Sequence, residues 1–103
     1  MSRLALCCAL LLTIACSAGA AEGPTAELGA TLFKATTLGS SGQSCASCHP
    51  EGKGLEELAA YDDGQLKETI NFCIRDALKG EMFNPQAQEL DALLAYLRTF
   101  RKP

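Results

Sequence analysis

The sequence predicts a small all-α domain of three to four helices. Three stretches repeat apolar residues at helical spacing, no strand can be read between them, and the connecting segments are rich in turn-forming residues. The chain has 103 residues and a formal net charge of −3. A chain of this length is one domain with a limited core of its own.

Residues 1–21 are read as a cleaved signal peptide. Arg3 supplies the positive end, residues 4–15 are apolar apart from Thr13, and Ala18-Gly19-Ala20 offers the small residues a signal peptidase accepts, so cleavage is expected after Ala20 or Ala21. The apolar run is shorter than the roughly 20 residues needed to cross a bilayer. Leu12-Thr13-Ile14-Ala15-Cys16 resembles a lipobox with its leucine one residue too far from Cys16, which leaves lipidation at Cys16 as the alternative to free release. Cys7 and Cys8 leave with the leader.

The mature domain, residues 22–103, opens with a helix over about 26–35, capped by Thr25, with Leu28, Leu32 and Phe33 on one side. Gly29 and Phe33 lie four apart, placing a bare backbone patch beside an aromatic ring where another helix can cross closely. Residues 36–44 read as a flexible loop. Beyond residue 49, Pro50-Glu51-Gly52-Lys53-Gly54 cannot be regular helix, and a short turn over 55–60 follows. A second main helix is predicted over about 65–79, capped by Asp62 or Asp63 and ended by a left-handed Gly80; Leu66, Ile70, Cys73, Ile74, Ala77 and Leu78 form its apolar stripe. The last helix is expected to start with Asn84 as cap and Pro85 in the first turn, with Leu90, Leu93, Leu94, Leu97 and Phe100 inward. Tyr96, one turn from Phe100, is placed to pack at the crossing with Gly29 and Phe33, and Arg98, Arg101 and Lys102 favour the helix C-terminus. No internal repeat is present.

Cys45-Ala46-Ser47-Cys48-His49 carries the chemistry. Cys-x-x-Cys-His is the attachment sequence of a c-type haem: each thiol adds across one vinyl group to give a thioether, and the adjoining histidine is delivered to the iron. A redox-active Cys-x-x-Cys would need a thioredoxin-like βαβ pattern, and a zinc site a second pair of ligands. Neither is present. The motif therefore predicts one haem c per chain, bound through Cys45 and Cys48, with His49, the only histidine, as proximal ligand. Export fits this reading, because c-type haem is attached on the outer side of the energy-coupling membrane. A periplasmic location is expected.

Loss of Arg3 with the leader leaves 8 Lys and Arg against 12 Asp and Glu, a mature charge of −4. That balance argues against nucleic acid or anionic lipid and favours redox partner proteins with a basic docking surface, met by a monomer. Membrane association is expected only through Cys16. Glu56-Glu57 and Asp62-Asp63 read as solvated charges and caps rather than catalytic carboxylates, and no motif for hydrolysis, phosphate or nucleotide binding appears.

Gly29-Ala30-Thr31-Leu32-Phe33, Cys45 to His49, and the 90–97 segment with Ala95-Tyr96-Leu97 together resemble the N-terminal helix, haem site and C-terminal helix of class I cytochrome c domains. The resemblance covers nearly all of the mature chain. It implies an all-α cytochrome c fold around one covalently bound haem, terminal helices crossing near a right angle, and electron transfer through the exposed haem edge. One departure stands out. Many such domains have a Gly-Pro pair after the haem histidine whose carbonyl holds the ring; here the only nearby proline is Pro50, so the group that orients His49 has no sequence signature.

The distal side of the iron is open between two sulfurs. Met82, the sole methionine after export, is the first choice, although only Phe83 separates it from Asn84-Pro85. Its other reading is gap-filling. Cys73 is the alternative, or else a small buried hydrophobe. Ile70-Asn71-x-Cys73, Leu78-x-Gly80 and Glu89-Leu90 before Ala95-Tyr96 resemble haem domains of thiosulfate dehydrogenases and related sulfur-oxidation cytochromes, a resemblance implying that a cysteine can ligate iron opposite histidine. Asn71 is a third, displaceable candidate.

Three functions follow from these alternatives. The first is an electron carrier rather than an enzyme, the second a haem subunit of a sulfur-compound oxidising system with Cys73 at the iron, and the third a haem-based ligand-binding protein. Stand-alone catalysis would want a second haem to drain electrons.

Overall fold

The computed structural model describes residues 24–102. The leader, its cleavage site and Cys16 lie outside the described residues. The fold class is all-α: helices α1 (Ala26–Lys34), α2 (Cys45–Cys48), α3 (Asp63–Asp76) and α4 (Gln88–Arg98) are joined by 3-10 turns at Pro50–Gly52 and Leu58–Ala60, with no strand among the described residues.

Local chemistry explains the helix starts. The Thr25 hydroxyl accepts the Leu28 N–H at 3.0 Å, and the Asp62 carboxylate accepts the Gln65 N–H at 2.9 Å, each satisfying a donor that the first turn leaves unpaired. α4 begins differently. Asn84 and Pro85 do not cap it; the Asn84 side chain accepts the Gln86 N–H, and its carbonyl accepts the Ala87 N–H at 2.8 Å, closing a turn that delivers the chain to Gln88.

α1 and α4 cross at Gly29. A Cβ on this residue would fall 2.0 Å from the Ala92 carbonyl oxygen and 2.6 Å from Tyr96 Cβ, so only a glycine lets the two backbones meet. The aromatic rings close around the crossing as the spacing predicts. Phe33 and Tyr96 meet edge to face at 5.2 Å, as do Tyr96 and Phe100 at 4.9 Å, while Phe33 and Phe100 are tilted at 5.9 Å. Phe33, Leu66, Ile74, Leu90 and Leu93 are fully buried, each contributing roughly 1.5–3 kcal/mol of transfer free energy.

The end of α3 departs from expectation. The helix stops at Asp76 rather than near Lys79, and its last turn widens: the Cys73 carbonyl accepts from both Ala77 and Leu78, and the Gly80 N–H reaches back to the Ile74 carbonyl at 2.9 Å. Lys79, not Gly80, takes the left-handed conformation, at φ 59°. Gly80 serves a different need, since a Cβ there would lie 2.0 Å from the Leu38 carbonyl oxygen. Gly39 faces the Leu78 carbonyl in the same way. With Ser40 and Ser41 donating to the Lys79 and Leu78 carbonyls, the segment expected to be flexible is docked along the α3 terminus.

Charged side chains tie the outer layer together. Lys67 on α3 pairs with Asp91 on α4 at 2.6 Å and donates to the Pro85 carbonyl. Arg98 bridges the Ala59 carbonyl and the Asp63 carboxylate, so it braces α4 against the start of α3 as well as favouring its own helix end.

A valine at Gly29 would drive its side chain into the α4 backbone. Gly29→Val is expected to destabilise the domain by about 1–3 kcal/mol, read as a fall in the thermal unfolding midpoint; an unchanged midpoint would show that the crossing carries no such constraint.

Candidate functional site

The site is organised by a single helical turn. Ser44 caps α2 reciprocally with Ser47: the Ser44 hydroxyl accepts the Ser47 N–H at 3.1 Å, and the Ser47 hydroxyl accepts the Ser44 N–H at 3.0 Å. Ser-x-x-Ser is a variant of the usual capping box and was the available signal for this turn. Cys45 and Cys48 are its first and last residues, three apart and so on neighbouring surface of the helix. His49 follows as the C-cap, its N–H bonded to the Cys45 carbonyl at 2.9 Å.

His49 Nδ1 lies 2.9 Å from the Lys53 carbonyl oxygen. A carbonyl only accepts, so Nδ1 carries the proton and Nε2 is left with the lone pair. This is the orienting group the sequence could not name. Its placement needs a chain that doubles back within four residues, and the backbone does so through left-handed conformations at Glu51, Gly52 and Gly54. Gly52 is buried beneath Phe100, whose ring would collide with any Cβ there, and the Glu56 carboxylate accepts the Gly54 N–H at 3.0 Å. Backbone N–H groups, chiefly its own, hold the Glu56 carboxyl below its ordinary 4.5.

Cys45, Cys48 and His49 line a cleft with Phe33, Leu55 and Leu58 on one side and Leu66, Ile70 and Cys73 of α3 on another. The cleft is open to solvent, with a void of about 80 Å³ between its walls. Its wall is almost wholly apolar. Among the described residues, no group of three or more His, Cys, Asp or Glu side chains is arranged to hold a metal ion directly.

The two distal candidates part company. Cys73 is not a core residue: Leu66, Ile70 and Ile74 of the same stripe are buried, whereas Cys73 is exposed along the cleft wall. Met82 is 47% exposed and is not among the residues lining the cleft. Asn71 also stands apart. Its side-chain amide donates to the Phe83 carbonyl and accepts the Phe83 N–H, both at 2.9 Å, which occupies the amide away from the cleft.

Two of the three thiols, those of Cys45 and Cys73, have their neutral form favoured. Burial, followed by the nearby Cys73, pushes Cys45 from its ordinary 9.0 up to about 11; burial, then Asp76 and Cys48, raises Cys73. The proton retained by folded Cys45 contributes stability that is fully present below pH 9 and is lost as pH rises through about 11. Exposed Cys48 is expected to alkylate first, with Cys45 reacting only as pH approaches 11, read by mass spectrometry of alkylated peptides; equal rates at neutral pH would contradict the half-buried placement of Cys45.

Comparison with protein-family models, curated proteins and solved structures gives no match for this chain.

Proposed function

We propose that this chain is a single-haem c-type cytochrome domain of the periplasm whose role is electron transfer. The observation that carries the reading is the convergence of Cys45, Cys48 and His49 on one apolar cleft, with His49 Nδ1 committed to the Lys53 carbonyl and Nε2 left for a metal. These residues fit a covalently held haem: two thiols one helical turn apart, an imidazole in the required tautomer, and apolar walls of Phe33, Leu55, Leu58, Leu66 and Ile70. When bound, the haem supplies one-electron redox chemistry. The protein's share is to anchor it through Cys45 and Cys48, orient the proximal ring and set the polarity around it. The crossing of α1 and α4 at Gly29 supports a cytochrome c fold, and the acidic balance supports a partner with a basic docking face.

For the distal position the geometry favours Cys73 over Met82, because Cys73 borders the cleft and Met82 does not. Partial burial along the cleft wall pushes the Cys73 thiol up from its ordinary 9.0, and a cation beside the sulfur is what would favour its thiolate. The same placement favours a second reading, a haem subunit of a sulfur-compound oxidising system in which Cys73 meets the substrate or the iron.

Expression with a c-type maturation system is expected to give haem that stays with the polypeptide in acidified organic solvent, and Cys45→Ala or Cys48→Ala is expected to remove one of the two linkages. Extractable haem would overturn the proposal. In the ferric spectrum, Cys73→Ala is expected to abolish a low-spin thiolate signature that Met82→Ala leaves in place; a methionine-to-iron charge-transfer band lost in Met82→Ala would return the distal role to Met82. Turnover of thiosulfate by the purified domain that disappears in Cys73→Ala would favour the second reading over the carrier.

A further inference from the structure

We infer that Asn71 is a positioning residue that decides which sulfur reaches the cleft, by clamping the backbone of Phe83 and so holding Met82 away. This rests on the haem reading above and adds to it a residue that touches neither cofactor nor cleft.

Asn71 and Cys73 are two residues apart on α3, so their side chains leave the helix about 200° apart. One side of the helix presents Cys73 to the cleft. From the other, Asn71, 8% exposed, pairs both polar atoms of its amide with the N–H and C=O of Phe83. That pairing gives each polar atom of the buried amide a partner, and it fixes the residue immediately after Met82.

The chain before Met82 is fixed as well. The Gly80 N–H is bonded to the Ile74 carbonyl, and Gly80 is pressed against Leu38, so a bulkier residue cannot slide past. Beyond Phe83, the Pro85 carbonyl accepts from Lys67 and Asn84 closes its turn with Ala87. Between Gly80 and Phe83 only Glu81 and Met82 remain unanchored. Three Cα steps span at most about 11 Å, and both ends are held on α3, so the closed clamp keeps Met82 in its exposed place outside the cleft lining, although Ala77 and Leu78 just before the arch do border the cleft. The clamp thus excludes the competing donor while leaving Cys73 untouched. Opening it would exchange a thiolate for a thioether and raise the haem potential.

The test uses the haem-loaded protein, with covalent attachment checked in every variant by acidified-solvent extraction. Wild type and Cys73→Ala are both expected to lack the methionine-to-iron charge-transfer band. Cys73→Ala combined with Asn71→Ala is expected to gain it, and addition of Met82→Leu to remove it again. A second route leaves Asn71 alone: two glycines inserted between Met82 and Phe83 in the Cys73→Ala background lengthen the arch and are expected to produce the same band. In the cofactor-free protein, Asn71→Ala is expected to speed hydrogen exchange at the Phe83 amide. A methionine band in wild type or in Cys73→Ala alone overturns the inference. So does its absence from both released variants when their haem is covalently attached. Haem that extracts from wild type defeats the haem reading itself, a separate outcome.

Discussion

Everything in this fold depends on two helix backbones being allowed to touch. Gly29 brings α1 against the Ala92 carbonyl of α4, and the three rings of Phe33, Tyr96 and Phe100 lock that contact from one side. Once the ends of the domain are joined, the intervening chain has to travel around them. α2 and its following loop form one bank of the resulting cleft and α3 the other. The cleft is therefore a product of topology. Its walls do not need to be strongly paired with each other, because each is tied separately to the crossed pair or to α4.

α3 does the most varied work. Its buried stripe of Leu66, Ile70 and Ile74 belongs to the core, Cys73 belongs to the cleft, Lys67 to α4 and Asn71 to the connection that follows. An isolated amphipathic helix needs one apolar and one polar face. Here the boundary between faces is occupied by residues that each address a different neighbour, so substitutions there should separate in their effects: loss of Asn71 concerns the 80–83 arch, loss of Cys73 the cleft, and loss of Lys67 the turn at Pro85.

Much of this was legible from residue spacing. Thr25 and Asp62 announce helix starts by their hydroxyl and carboxylate, and Gly29, Phe33, Tyr96 and Phe100 stand at intervals that bring them onto a common crossing. Other features were hidden for physical reasons. Asn84-Pro85 suits a cap and a turn equally well, and only the Ala87 N–H shows which it forms. Gly80 looked like a residue of conformational need, yet its requirement is space beside Leu38, and a lysine takes the left-handed position. The Lys53 carbonyl was invisible because every residue carries one. Cys73 and Met82 could not be ranked by distance along the chain, since what separates them is the direction each side chain takes from α3 and its connection.

The seat of Phe100 on Gly52 has a consequence for timing. The loop that turns the Lys53 carbonyl towards His49 is covered by a ring that is synthesised long after it, as is the α4 backbone that receives Gly29. A chain emerging from its N-terminus therefore presents Cys45 and Cys48 before it has the means to hold His49 in one tautomer and orientation. Thiol chemistry at the motif can begin on an open polypeptide, whereas a settled His49 ring is a property of the completed chain. Exposure of the thiols and fixing of the imidazole are separable events, ordered by the direction of translation.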